Sequence, residues 1–148
     1  MSRFEDFIKK GKLKKIQFSG DMVEKEFKIG KEDLEDAKFS FREGKYKWAT
    51  IQSYYALYHM IRSLVFKAGY REESHVALKI AFEELYIKTG MVGKYIYNTF
   101  ERGMILRENA DYKGTFSQES AEALLKNVEK SVSDIELSLI HIPSPRDS

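Results

Sequence analysis

Apolar residues recur at three- and four-residue intervals along most of this chain, the period of helices packed on one face. Phe4, Phe7, Ile8, Leu13 and Ile16 predict a short amphipathic helix over 3–16, bent near Gly11. A linker follows at 18–20. A second helix then runs to about Arg42 from an Asp21 cap, with Glu24 three residues on in the manner of a capping box. Its core face reads Val23, Phe27, Leu34, Ala37 and Phe41, Gly30 inside it costs ~1 kcal/mol against alanine, and Gly44 ends it. A third helix is predicted over 46–67 and closed by Gly69. Ser74 caps a fourth, running to Lys88 over Val76, Leu78, Ile80, Ala81 and Leu85, and Thr89-Gly90 turns the chain.

A fifth helix is predicted over 92–109, with Ile96, Phe100, Met104 and Ile105 inward, followed by a loop at 111–114. Ser117 or Ser120 caps a sixth over 118–139, where Ala121, Leu124, Leu125, Val128, Val132, Ile135 and Leu139 repeat at helical spacing. No strand pattern of convincing length and no internal repeat is present. The expected fold is therefore all-α, an up-and-down antiparallel bundle of five to six helices forming one domain over 1–142. A disordered tail, 143–148, follows.

The third helix differs from the others. Its sequence, YKWATIQSYYALYHMIRSLVFK, is apolar nearly all round, which places it in the middle of the bundle. Yet Gln52, Tyr55, His59 and Arg62 fall within about 80° of one another at 100° per residue. Such a stripe must be satisfied by partners, wetted by a cleft, or used.

Composition narrows the function classes. The 148 residues are 43% hydrophobic and 32% charged, with only two prolines, the first at Pro143. That fits one helical domain able to bury a core without disulfides. A net charge of +2 gives no strong overall field for nucleic acid, although Lys9, Lys10, Lys12, Lys14 and Lys15 crowd one end. Taken alone, that cluster reads as a solvated face. Cysteine is absent, which removes thiolate chemistry and fits a reducing cytosol. No run approaches the ~18 apolar residues that span a bilayer, and no signal-peptide core is visible, so a cytoplasmic protein without membrane association is expected.

Zinc-type spacing, a phosphate-binding glycine loop and a nucleophile elbow are all missing from the sequence, and no cofactor is implied. Three polar constellations remain. The stripe of Gln52, Tyr55, His59 and Arg62 is either a solvent edge or the wall of a cleft for an anionic ligand, with Arg62 for charge and Tyr55 for stacking. In Arg71-Glu72-Glu73-Ser74-His75, Ser74 serves as a cap. The first helical turn disfavours a protonated His75, leaving a neutral imidazole. In Arg107-Glu108-Asn109-Ala110-Asp111-Tyr112, Arg107 either pairs with Asp111 four residues on or points into a groove and binds phosphate, oriented by Asp111.

Taken together, Tyr46-Lys47-Trp48-Ala49, Tyr54-Tyr55-Ala56 with His59 and Arg62, Gly69-Tyr70-Arg71-Glu72 with Ser74-His75, and Arg107-x-x-Ala110-Asp111-Tyr112 resemble the HEPN family, in a prokaryotic branch common in archaea. The resemblance implies a helical bundle that forms a two-fold homodimer with a cleft at the interface. In active HEPN members, an arginine followed four to six residues later by a histidine carries metal-independent RNA cleavage. Many members are toxins paired with a minimal nucleotidyltransferase antitoxin, which in some pairs attaches AMP to a nearby tyrosine. Arg107 matches the family arginine. The histidine does not carry over, because 111–114 read Asp-Tyr-Lys-Gly, and Tyr112 or Asp111 stands in its place.

Two readings follow. In one, the chain is a toxin–antitoxin-like module that binds nucleotide or RNA, with Tyr55, His59, Arg62, Ser74 and Tyr112 around the ligand and Tyr112 as a modification site. In the other, it is an RNA endonuclease with a modified site that uses Arg107 with His75 or His59, and Asp111 beside them. A plain dimeric scaffold is the bland alternative.

Overall fold

The computed structural model describes residues 2–141, with side chains through 138. The expected tail at 143–148 and the Leu139 side chain lie outside what is described. Among the described residues the chain forms six α-helices: α1 (Arg3–Lys9), α2 (Gly20–Arg42), α3 (Tyr46–Lys67), α4 (His75–Phe82), α5 (Lys94–Tyr112) and α6 (Gln118–His141). α4 runs on into a single π-helical turn, Glu83–Ile87, so the regular helix predicted through Lys88 ends sooner. The all-α bundle expected from periodicity is the fold found.

α3 is the hub. It packs against α2, α5 and α6 and touches α4, and Leu57, Met60, Ile61, Leu64 and Val65 are fully enclosed. This is the outcome expected for a helix apolar nearly all round. α2 lies unusually close to it, and Gly30 is the reason. A Cβ at Gly30 would sit 3.0 Å from both the Ala56 carbonyl oxygen and the Met60 side chain. The residue that weakens the helix by propensity is what allows the two backbones to approach.

Several boundaries depart from the sequence expectation. The cap of α2 is Ser19, whose hydroxyl accepts from the Met22 amide at 3.4 Å, and not Asp21. The first helix does not reach residue 16. It stops at Lys9, Gly11 turns the chain at φ 75°, and Leu13–Lys15 is a strand, β1. β1 pairs antiparallel with β2 (Tyr70–Glu72), Leu13 opposite Glu72, Lys14 opposite Arg71 and Lys15 opposite Tyr70. Three-residue strands carry too little alternation to be seen as a pattern, and their pairing is long-range. Ile105, expected inward, is 49% exposed, because the inner face of α5 runs through Ile96, Phe100, Gly103 and Ala110 instead. The same helix continues through Asp111 and Tyr112, where a loop was expected.

Candidate functional site

Arg107 lies on that inner face of α5, one turn from Gly103 and three residues before the buried Ala110. A cation on a core-facing stripe needs a reason. The Arg107 side chain is only 14% exposed, and its guanidinium carbon lies 5.4 Å from the centre of the Tyr54 ring, 5.9 Å from Tyr55 and 5.6 Å from Tyr112. These contacts are of the cation–π kind. Its nearest carboxylate, Asp111, is 3.9 Å away and substantially exposed, which makes a loose ion pair. The Nε atom is buried with no hydrogen-bond partner among the described residues. An unmet charged donor in a ring of aromatics is a costly arrangement for a purely structural arginine.

Tyr54 is the keystone of the cluster. Its ring is stacked on Phe100 at 5.5 Å and 2°, and it lies against α5 where Gly103 leaves room, an added Cβ there standing 3.2 Å from the tyrosine ring. The Tyr54 hydroxyl is 2.5 Å from Nδ1 of His75, in the first turn of α4, which Ser74 caps by accepting from the Ala77 amide at 3.0 Å. Arg107 and His75 are therefore brought to the same tyrosine, one over its face and one at its hydroxyl.

The protonation states of this pair can be assigned. Burial pushes the His75 pKa below its ordinary 6.5 and the nearby Arg107 charge lowers it further, with Glu72 acting the other way. Burial raises that of the Tyr54 phenol, against the pull of Arg107. The phenol keeps its proton and the imidazole is neutral; in the tautomer with hydrogen on Nε2, the hydroxyl donates to Nδ1. In that tautomer His75 is a neutral donor through Nε2, with its one lone pair engaged.

His59 and Arg62, on the neighbouring part of α3, have a different setting. His59 Nδ1 donates to Glu26 at 2.6 Å, and Asp33 lies 3.8 Å from its Nε2. Arg62 bridges two buried acids, with Nη1 3.0 Å from Glu26 and Nε 2.9 Å from Glu72, while Tyr58 donates to Glu72 at 2.8 Å. Burial would raise the Glu26 pKa, but the His59 hydrogen bond and the Arg62 charge outweigh it and hold the carboxyl below 4.5. Gln52 is taken up by α2, where Ser40 lies at 2.6 Å. Most of the α3 stripe is thereby satisfied within the chain. The network ties α2, α3 and β2 together.

Tyr55 stands between the two groups, edge-on to His75 at 6.2 Å and beside Arg107. Tyr112 is 73% exposed, at the last residue of α5. Sequence reasoning missed Glu26, and it quoted Tyr54 and Glu72 within motifs without giving either a role. One signal was available: Glu26 sits four residues before Gly30 on the packed face of α2, where an acid implies a basic partner on the facing helix. Among the described residues no group of three or more His, Asp or Glu side chains is arranged to hold a metal ion, and no helix is long and apolar enough to cross a membrane.

A family model described as HEPN domain matches residues 23–137. The chain is similar to a UPF0332 protein of Thermotoga maritima, 28% identical over 114 residues, covering 71% of this chain and 86% of the relative. It is also similar to a protein of Methanocaldococcus jannaschii whose name marks it as a candidate toxin, 25% identical over 115 residues, 77% of this chain and 86% of the relative.

Proposed function

The chain belongs to the HEPN family, and on that premise we propose that it is the HEPN module of a toxin–antitoxin-like system that binds a phosphate group of RNA or nucleotide between Arg107 and His75. The observation that carries this reading is the buried, unpartnered Nε of Arg107, whose guanidinium lies over the same Tyr54 whose hydroxyl meets the His75 imidazole. A guanidinium and a neutral N–H grouped around one tyrosine can each donate to a phosphate oxygen. The same geometry speaks against nuclease chemistry at this site. Attack by a ribose 2′-hydroxyl needs a base, and in the tautomer with hydrogen on Nε2 the His75 lone pair is occupied by Tyr54. Asp111, loosely paired, helps orient Arg107, and Tyr55 supplies a ring face for a base or ribose.

The test is fluorescence anisotropy with a labelled single-stranded RNA, and calorimetric titration with AMP, both in EDTA. The wild type is expected to bind without cleaving. Loss of charge-assisted hydrogen bonds worth ~1.5–3 kcal/mol should make Arg107→Ala about 10- to 150-fold weaker. Undiminished binding by Arg107→Ala would sink the proposal. So would cleavage by the wild type that His75→Ala abolishes, since that assigns the imidazole to chemistry.

The module works as a homodimer and with a minimal nucleotidyltransferase as antitoxin. What supports the second partner is Tyr112: of the tyrosines around Arg107 it is the exposed one, whereas Tyr55 is half-buried and Tyr54 buried. Incubation with a cognate nucleotidyltransferase and ATP is expected to add AMP to Tyr112, read by peptide mass spectrometry. Modification at another residue, or none, removes this part of the reading.

A further inference from the structure

The two-stranded sheet carries a charge pattern that the fold does not require. Leu13 and Glu72 face inward, at 1% and 5% exposure, so the next pair, Lys14 and Arg71, faces outward. Residues directly opposite in an antiparallel pair share a face with Cβ atoms ~4.5–5.5 Å apart, and like charges there are destabilising. Around them Lys9, Lys10, Lys12 and Lys15 are all exposed. The acids nearby answer only part of this charge: Glu73 pairs with Lys14 at 3.2 Å, Asp6 with Lys10 at 2.9 Å, and Glu72 is committed to Arg62. Arg71 and Lys12 keep the outward face positive, while Lys15, two residues from Leu13, belongs to the other face. Lysines on an edge strand commonly guard a sheet against pairing with another chain, but that role needs no cation on the facing position of the second strand.

We infer that this outward face of the β1–β2 sheet is a track for the phosphate backbone of a single-stranded RNA, leading to the Arg107–His75 site. The inference rests on the reading of that site given above and supplies its polymer-binding surface. β2 ends three residues before His75, and Arg71 is four residues from it, so an extended chain puts the two within ~14 Å. Inward Glu72 meets Tyr58, whose ring lies 4.6 Å from His75, so a polyanion on the outward face reaches the site past the end of β2, whereas a mononucleotide in the site is too small to use the sheet. Val76 is the one strongly exposed large hydrophobic residue close by in sequence, which leaves little to insert into a lipid surface.

The experiment is RNA binding by anisotropy across a salt series for wild type, Lys14→Gln/Arg71→Gln and Arg107→Ala, with AMP titration of each. Each phosphate contact on a single strand contributes ~0.7 to the log–log salt slope and about half a decade of affinity over the usual salt range. The double variant should bind RNA about tenfold more weakly, with a slope shallower by ~1.4, and bind AMP as the wild type does. Thermal melting is expected to stay level or rise, since a like-charge pair is removed. Unchanged RNA affinity and slope in the double variant overturn the track while Arg107 retains its role. Loss of AMP binding in the double variant also overturns it, because the sheet would then act on the site itself. Conversely, a weakened double variant beside an Arg107→Ala protein that binds RNA normally leaves the sheet as the binding surface and removes the Arg107 site. Equal loss with an anionic vesicle in place of RNA assigns the patch to membrane and ends the proposal.

Discussion

Arg62→Ala is expected to destabilise the protein by about 3–5 kcal/mol, the usual result of removing one partner from a buried charge network. Two carboxylates depend on this guanidinium. Glu26 and Glu72 are 7% and 5% exposed, and each lies within 3.0 Å of it. His59 still serves Glu26 and Tyr58 still serves Glu72 in the variant, which keeps the loss from growing further. For a domain of this length the change corresponds to a melting temperature lower by roughly 10 °C. Urea denaturation is the direct measurement, and a loss under ~1 kcal/mol would show that the network is of the weak, surface kind.

The pH dependence of this difference has a definite sign. The Glu26 pKa is depressed in the folded state, so its contribution is fully present above its unfolded value near 4.5 and disappears as pH falls through the folded value. Arg62 is one cause of that depression. The gap between wild type and Arg62→Ala should therefore be widest near neutrality and should close in acid. His75 acts at higher pH. Its lowered pKa favours the neutral folded form, so the stability it contributes is present above 6.5 and declines as pH falls below that value toward the folded pKa.

The fold was largely legible because helix periodicity and glycine stops are local signals. α3 begins and ends where its aromatic pattern does, and Gly44 and Gly69, at φ 74° and 89°, mark the turns on either side of it. What was not legible was long-range. Leu-Lys-Lys and Tyr-Arg-Glu have no visible period, and only their mutual pairing makes them strands. Gly30 looked like a defect because the α2–α3 approach that uses it is a tertiary fact. The candidate site divides in the same way. Arg107 and His75 could be marked by residue type and spacing. That one tyrosine hydroxyl orients the imidazole, and that Glu26 and Glu72 take up the charge of Arg62, depends on how four elements meet.

Arg107→Met is expected to raise stability while removing phosphate binding, and this opposition of signs separates a functional arginine from a structural one. Burial opposes the charge of Arg107, whereas Tyr55, Tyr112 and Tyr54 favour it, Tyr112 partly through a hydrogen bond. What favours the folded arginine is the cation–π attraction to three ring faces, ~0.5–1 kcal/mol each, the Tyr112 hydrogen bond and the loose Asp111 pair. Against this stands a buried donor without a partner, ~1–3 kcal/mol or more when the group is charged, together with the general cost of enclosing a guanidinium. Methionine fills nearly the same space and retains a favourable sulfur contact with the rings. A gain of about 1 kcal/mol, or ~2–4 °C in melting temperature, is the expected balance. RNA and AMP affinity should fall together, as for Arg107→Ala. A variant that instead melts several degrees lower would show that Arg107 is there to hold the tyrosines together, and that the unmet Nε is an incidental cost of doing so.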